Sequence, residues 1–297
     1  LYIDETEYYR ELPPLESLIS FNESNIDEYY TREILKEETD FEKETADILK
    51  DARILHEDLR NYGGLLDTEK PLIVSGILLA LRESGYKNFS IDDLTGDTIK
   101  TDGQKICDAI NANLKRANVA PEVKKDKILS QFSFMQDNVK LNEIDANLKK
   151  SPLKHFAEYL DKTIYQSIRY VSSAEDYIGR FYGEFMSYSG GDGQTLGIIL
   201  TPKHITQLFC DLADLHAKDV VFDPCCGTAG FLIAALHNML IHAENDTQKR
   251  GIRQTQLHGI ELQSNMFTIA TTNMILRGDG KSNLINDDFF KQDAGKL

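Results

Sequence analysis

The first part of the chain carries apolar residues at helical spacing. After residue 45 they recur three or four positions apart, at Ile48, Leu49, Ala52, Leu55 and Leu59. This spacing places them on one face of a helix, and the Gly63 and Gly64 pair that follows is typical of a helix C terminus. The pattern predicts a helix that ends near the two glycines.

Further segments carry their own start signals for helices. "KPLIVSGILLALRESG" has Pro71 in its first turn and Gly85 at its end, and "SPLKHFAEYLDKTIYQSIRYV" offers Ser151 as N-cap before Pro152. "DGQKICDAINANLKRANV" and "KKDKILSQFSFMQDNVKLNEI" continue the helical periodicity. We therefore expect residues 46–180 to form a helical domain. Residues 1–45 are acidic and rich in tyrosine, and we interpret them as a separate N-terminal segment, consistent with the end of an upstream domain.

The pattern changes after residue 180. Short apolar runs alternate with longer apolar, helix-like runs in the order "DVVFDP", "FLIAALHNMLIHA", "QLHGIEL", "NMFTIATTNMILRG" and "NLINDD". Strands that alternate with helices in this way are typical of a parallel sheet covered by helices. The chain is thus predicted to be multidomain, α followed by α/β, with residues 181–297 in a Rossmann-like domain.

The first predicted strand runs into a glycine-containing loop, "DPCCGTAG". Asp223 ends the strand, while Gly227 and Gly230 allow a tight turn and a close approach of a ligand to the backbone. In open α/β sheets ligands bind outside the carboxyl ends of the strands, where Glu261 at the end of the second strand also lies. The sequence therefore predicts a ligand site formed by these two strand ends.

The residues favour a nucleoside over a dinucleotide at this site. A carboxylate in the position of Glu261 can accept hydrogen bonds from both ribose hydroxyls, but the loop lacks the GxGxxG pattern that cradles a pyrophosphate. S-adenosylmethionine is a nucleoside ligand without pyrophosphate. Thr201 as N-cap and Pro202 as first helical residue predict another helix beginning beside the same crevice. A solvated carboxylate beside an ordinary strand–helix turn, or a nicotinamide site, remains the alternative at this point.

The composition of the chain limits the kinds of partner and cellular location that it can have. The net charge of −15 gives no overall basic character, so another segment or subunit would have to supply most of any grip on DNA. The four cysteines form no CxxC pair and predict reduced thiols in a cytoplasmic protein without a bound metal. No apolar run approaches the length of a membrane span, and no signal peptide opens the sequence.

Four segments in order resemble the catalytic domain of N6-adenine DNA methyltransferases, specifically the modification subunit of type I restriction–modification systems and its fused relatives. They are "FYGEFMSYSGGDGQTLGIILTPKHI", "FDPCCGTAGFLIAALHNML", "HGIELQSNMFTIATTNMILRGDG" and "NLINDDFF". The helical residues are similar to the region that precedes this domain. The resemblance implies the first half of a Rossmann-like domain that binds S-adenosylmethionine.

The resemblance also assigns roles to individual residues. Thr201 and Pro202 would line the methionine end of S-adenosylmethionine, Glu261 would hold its ribose hydroxyls, and Asp287 would approach its adenine amino group. The loop under the cofactor would consist of Asp223, Pro224, Cys225, Gly227, Thr228 and Gly230.

This sequence departs from the family in three places. Ala229 and Asn286 stand where the family favours glycine, and a methyl group at Ala229 requires a negative φ or strain. The Asn-Pro-Pro-aromatic tetrapeptide, which receives the flipped adenine, does not occur in the sequence. We therefore expect a fragment truncated before that motif, with no catalytic residue of its own, that binds the cofactor without transferring the methyl group. The third strand is expected to be an exposed sheet edge.

For the full enzyme the resemblance implies methylation of adenine N6 in double-stranded DNA. Its partners would be a target-recognition subunit or domain and a restriction nuclease, either a subunit or a fused domain. The alternative from another functional class is a noncatalytic helical module that serves as a scaffold in a restriction complex.

Overall fold

The computed structural model describes residues 2–3, 9–10, 45–66, 68–165, 201–278 and 283–293. Two short strands, β1 (Tyr2–Ile3) and β2 (Tyr9–Arg10), pair antiparallel near the N terminus. The segment 181–200, with its aromatic and glycine cluster, lies outside the described residues, as does the expected domain boundary near residue 180.

Helices account for the chain between residues 45 and 165. They are α1 (Thr45–Asp58), α2 (Lys70–Arg82), α3 (Asp102–Arg116), α4 (Glu122–Phe132), α5 (Phe134–Asp137), α6 (Val139–Asn142) and α7 (Pro152–Leu160). π-helical turns follow α1 at Leu59–Gly63 and α7 at Asp161–Tyr165, and 3-10 turns lie at Glu83–Tyr86 and Ile91–Asp93. Helix α2 is buried along nearly its whole length and forms the centre of this helical region.

The local helix signals are confirmed where they depend on nearby residues. Gly64 adopts a left-handed conformation with φ of 61° after the turn that extends α1. The Ser151 hydroxyl accepts a hydrogen bond of 3.1 Å from the backbone N–H of Lys154. The segment "KKDKILSQFSFMQDNVKLNEI" is helical as its periodicity predicts, but it divides into α4, α5 and α6. Asn138, which is extended with ψ of 104°, separates the last two.

The second part of the chain forms a parallel three-stranded sheet with helices between its strands. Its elements are α8 (Lys203–Leu212), β3 (Val221–Asp223), α9 (Gly230–Ile241), α10 (Asp246–Thr255), β4 (Leu257–Ile260), α11 (Ser264–Leu276) and β5 (Asn283–Ile285), with a 3-10 turn at Phe289–Lys291. The strand order is β3-β4-β5, and Gly259 is in register with both Asp223 and Leu284. The predicted parallel sheet is confirmed.

Helix α11 joins the two parts of the molecule. Its residues from Met266 to Ile275 are all buried, and it contacts β5 on one side and helices α2 and α4 on the other. The Arg82 guanidinium donates to the carbonyl of Ile275, and the Lys124 ammonium donates to the carbonyl of Leu284 over 2.8 Å. Strand β5 is an edge strand of the described sheet, as expected, but it is not bare, because Lys124 binds its outer side.

Among the described residues, no helix combines the length and the apolar character needed to cross a membrane.

Candidate functional site

The carboxyl ends of the three parallel strands meet at one edge of the sheet. The loop after β3 is fixed there by the backbone N–H of Cys226, which donates to the carbonyl of Ile260 over 2.9 Å. The backbone N–H of Glu261 in turn donates to the carbonyl of Ile285 over 2.9 Å. The glycine-containing loop, Glu261 and the segment after β5 therefore meet at this edge of the sheet. We call the space that these three segments border the crevice.

The Glu261 carboxylate binds the backbone of the loop that follows β3. Its Oε2 accepts from the backbone N–H of Gly227 over 3.0 Å, and its Oε1 accepts from the backbone N–H of Gln263 over 2.7 Å. Each carboxylate oxygen can accept more than one hydrogen bond, so both keep the capacity to bind a ligand hydroxyl. The side chain is half-buried, which leaves it accessible from the crevice.

Gly227 leaves open space above the loop. Its φ of 55° is a left-handed conformation that favours glycine, and a Cβ atom built there meets no other heavy atom within 4 Å. Pro224 and Gly230, at the two ends of the loop, are half-buried. A ligand can therefore lie directly over the backbone of Gly227.

Two polar groups hold the rest of the loop. The Asp223 carboxylate accepts from the backbone N–H of Cys225 over 3.1 Å, and burial raises the pKa of this carboxyl above its usual value. The Asn273 side-chain amide on α11 donates to the carbonyl of the buried Thr228 over 2.9 Å. The loop is thus anchored to both β3 and α11.

The two adjacent cysteines differ. Cys226 is buried, and that burial, with the nearby charges of Asp223 and Glu261, raises the pKa of its thiol. Cys225 is exposed on the loop. A buried thiol with a raised pKa is a poor nucleophile, so the structure gives Cys226 a packing role.

Ala229 adopts a left-handed conformation, which is strained for a residue with a Cβ atom. It is fully buried with φ of 70°, immediately before the first residue of α9. Of the two alternatives expected from the sequence, a negative φ or strain, the structure therefore shows strain. Left-handed backbone costs an L-residue with a Cβ atom roughly 1–2 kcal/mol, and the burial of the methyl group offsets part of this cost.

The predicted start of the helix before β3 is wrong by one residue. Pro202 has ψ of 145°, which is extended, so α8 begins at Lys203 and Pro202 itself occupies the N-cap position that was expected for Thr201. Thr201 and Pro202 are both exposed. Helix α8 packs against α9 through Phe209 and Phe231, whose ring centroids lie 5.4 Å apart.

Asp287 is exposed just beyond β5. Its carboxylate accepts from the backbone N–H of Asp288 and from the side-chain amide of Gln292, both over 2.8 Å. These two bonds, the backbone one first, hold the pKa of the carboxyl below its usual value. The positive charges of Lys291 and of Lys127 on α4 add smaller effects of the same sign.

Sequence reasoning missed an aromatic cluster beside the crevice. The rings of Phe222 on β3 and Phe289 after β5 lie 6.2 Å apart, and Phe289 lies 5.5 Å from Phe290. Phe222 and Phe290 are 43% and 91% exposed, an unusual setting for large apolar side chains. The sequence contains one indication of this cluster, because the phenylalanines adjoin the strand-end carboxylates in "VFD" and "DDFF".

The comparisons with known proteins agree with this geometry. Residues 173–296 match the model of the family described as N-6 DNA Methylase. Over 289 residues the chain is 46% identical to the type II restriction enzyme and methyltransferase RM.BcgI of Heyndrickxia coagulans. The aligned region covers 97% of this chain and 45% of that protein. The chain thus spans less than half the length of this relative.

More distant relatives carry type I names. The chain is 26% identical over 116 residues to the MjaIX methylase subunit of Methanocaldococcus jannaschii, covering 39% of this chain and 20% of that protein. A solved modification subunit assigned to a type I restriction enzyme from Vibrio vulnificus superposes with a TM-score of 0.56 at 15% identity. That match covers 85% of this chain and 57% of the other and shows a common fold.

Proposed function

Because the resemblance of residues 173–296 to N-6 DNA methylases is confirmed by the family match, we propose that this chain binds S-adenosylmethionine as part of a type I-like DNA adenine-N6 methyltransferase. The domain division proposed for it has a helical domain over residues 46–180 and a Rossmann-like cofactor domain over residues 181–297, after an N-terminal segment of residues 1–45.

One observation carries this proposal. Glu261 presents a carboxylate at the end of β4, opposite open space above Gly227, with the loop backbone already bound to the same carboxylate. A ribose bound over Gly227 would have the two acceptor oxygens of this carboxylate beside it. This preorganisation favours a nucleoside ligand.

The neighbouring groups fit the rest of the cofactor. Asp287 supplies an exposed acceptor for an exocyclic amino group, and the rings of Phe222 and Phe289 supply apolar faces of the kind on which a purine stacks. We propose that Asp223, Pro224, Cys225, Gly227, Thr228 and Gly230 form the loop under the cofactor. Thr201 and Pro202 would lie at its methionine end.

When bound, the cofactor supplies an activated methyl group on a positively charged sulfur. The residues of this chain would hold it so that the target amine can approach the methyl group in line with the breaking bond, which is catalysis by positioning. No enzyme thiol takes part in such a displacement, consistent with the buried, protonated Cys226. Because Asn-Pro-Pro does not occur in these residues, the proposal for this chain covers the cofactor and leaves the target base to other residues of the enzyme.

The partners follow from the same proposal. We infer that double-stranded DNA, a target-recognition subunit or domain and a restriction nuclease act with this chain in a cytoplasmic assembly. The names of the relatives, one a fused restriction enzyme and methyltransferase and another a methylase subunit, support this inference. The net charge of −15 supports it as well, because such a chain needs a basic partner to hold DNA.

Calorimetric titration of the chain with S-adenosylmethionine, S-adenosylhomocysteine and NAD tests the proposal. We expect binding of both adenosyl compounds and none of NAD. Binding of NAD alone would indicate a nicotinamide site, and binding of none of the three would favour the alternative of a helical scaffold.

A further inference from the structure

Asn286 joins the two loops that the proposed function gives to the adenosine half of the cofactor. Its side-chain amide Nδ2 donates to the carbonyl of Glu261 over 2.6 Å and to the carbonyl of Leu262 over 2.9 Å. Its Oδ1 accepts from the Ser264 hydroxyl over 2.9 Å. The three partners lie between the end of β4 and the first residue of α11, whereas Asn286 lies on the segment after β5.

These contacts use both donors and one acceptor position of the asparagine amide, and they require one orientation of it. Two carbonyl oxygens can only accept, so the NH₂ group must face them, and the remaining oxygen then meets a hydroxyl that can donate. An aspartate of the same shape would place oxygen against both carbonyls. These three contacts fix the backbone of Glu261 relative to the backbone of Asp287, the residue that follows Asn286.

From this geometry we propose that Asn286 is a positioning residue for the cofactor, which sets the separation between the Glu261 and Asp287 carboxylates. The inference rests on the proposed function, since it concerns the same site. A ligand that spans both carboxylates gains more affinity when their separation is set before binding, because less ordering cost is then paid on binding. Asn286 acts through Glu261 and needs no contact with the ligand.

Asn283 provides a matched control at the opposite end of the same strand. Its side-chain amide donates to the carbonyls of Gln254 over 3.1 Å and Leu257 over 3.2 Å, away from the crevice. Replacing either asparagine by alanine removes two side-chain-to-backbone donors from β5 or its end. Neither position has a positive φ that would strain an alanine.

The test measures S-adenosylhomocysteine affinity of the whole chain by calorimetry, with thermal unfolding of the unliganded protein in parallel. We expect Asn286→Ala to weaken binding about tenfold and Asn286→Asp to weaken it more. Asn283→Ala should lower the unfolding midpoint to a similar extent but leave the affinity unchanged. Equal affinity losses in both alanine variants would overturn the positioning role, because they would reflect general loosening of the strand.

A double-mutant cycle with Glu261→Ala distinguishes positioning from an independent contribution. If Asn286 acts through Glu261, Asn286→Ala should change the affinity less than about twofold when Glu261 is already alanine, since coupled residues are not additive. A full tenfold loss in that background would refute the inference. If Asn286→Ala does not fold, Ser264→Ala removes only the orienting hydroxyl and should weaken binding about threefold, and an unchanged affinity there counts against the proposal. A parent chain that binds no adenosyl compound would instead contradict the proposed function itself, and the inference with it.

Discussion

The ammonium group of Lys124, on helix α4, donates a hydrogen bond of 2.8 Å to the carbonyl of Leu284, on the edge strand β5, 160 residues further along the chain. Strand edges carry unpaired carbonyl and N–H groups that invite association with other chains. Here the helical region itself covers one of them, and the same ammonium lies 5.7 Å from the centre of the Phe267 ring on α11. The helical region is therefore part of the structure that holds the strand leading to Asp287.

Replacing this lysine should loosen the contact between the two parts of the chain. Lys124→Met keeps an unbranched apolar side chain close to the length of the lysine stem but removes the charged donor, and hydrogen bonds to charged groups contribute about 1.5–3 kcal/mol. We expect a loss of that size in the free energy of unfolding, measured by urea denaturation. Lys100→Met is the control, because Lys100 pairs with Asp108 on the surface, with the two side chains 54% and 65% exposed. An exposed pair contributes about 0–1 kcal/mol, so equal losses in both variants would contradict the role of Lys124.

Glu261 is expected to carry much of the cofactor affinity. Glu261→Ala removes both of the proposed ribose acceptors and also releases the N–H groups of Gly227 and Gln263. A charge-assisted hydrogen bond contributes about 1.5–3 kcal/mol, so the net loss of one such bond should raise the dissociation constant for S-adenosylmethionine about ten- to a hundredfold in calorimetry. Glu244→Ala, at an exposed carboxylate between α9 and α10, should leave the constant unchanged. An unchanged affinity in Glu261→Ala, with helical content intact by circular dichroism, would rule out the ribose role.

Ala229 and Ala234 should respond differently to glycine. At Ala229, relief of left-handed strain of roughly 1–2 kcal/mol is offset by the loss of one buried methyl group, about 0.8 kcal/mol, and by the greater freedom of glycine in the unfolded chain, about 0.4–1 kcal/mol. Ala229→Gly should therefore stay within about 1 kcal/mol of the parent.

Ala234 lies inside α9, is 3% exposed and has no positive φ. Ala234→Gly loses the methyl burial and about 1 kcal/mol of helix propensity without relief of strain, so we expect a loss of about 2 kcal/mol. Urea denaturation of both variants checks this difference. A larger loss at Ala229 than at Ala234 would show that the left-handed conformation carries no strain.

One of the four cysteines should react much faster than the others. Cys225 is exposed on the loop, whereas Cys107, Cys210 and Cys226 are buried. Burial raises the pKa of all three, that of Cys107 to about 11. Because the thiolate is the reactive form and a raised pKa keeps a thiol protonated below that pKa, these three should stay slow at pH 8.

Ellman's reagent at pH 8 measures this reactivity. We expect a fast phase of one thiol per chain, its disappearance in Cys225→Ser, and its slowing when S-adenosylhomocysteine occupies the crevice. A fast phase that persists in Cys225→Ser would mean that a buried thiol is accessible. A rate unaffected by a saturating ligand would place the ligand away from this loop.

Neighbouring residues in the sequence determined much of the fold. The Gly64 cap and the Ser151 cap involve partners within a few residues, so their chemistry can be read directly from the chain. The alternation of strands and helices along the second part of the chain is equally local, since each element carries its own apolar pattern. The carboxyl ends of parallel strands lie at one edge of a sheet, which is why the position of Asp223 and Glu261 at the same edge was predictable.

Contacts between distant residues were decided only by the tertiary structure. The binding of Leu284 by Lys124, the joining of two loops by Asn286 and the meeting of Phe222 with Phe289 each bring together side chains from separate elements. The apolar pattern of a segment does not identify such partners, because they depend on how helices and strands pack against one another. The left-handed conformation of Ala229 belongs with them. A residue keeps a backbone conformation unfavourable to itself only where the packing around it compensates for the strain, and that packing exists only in the folded chain.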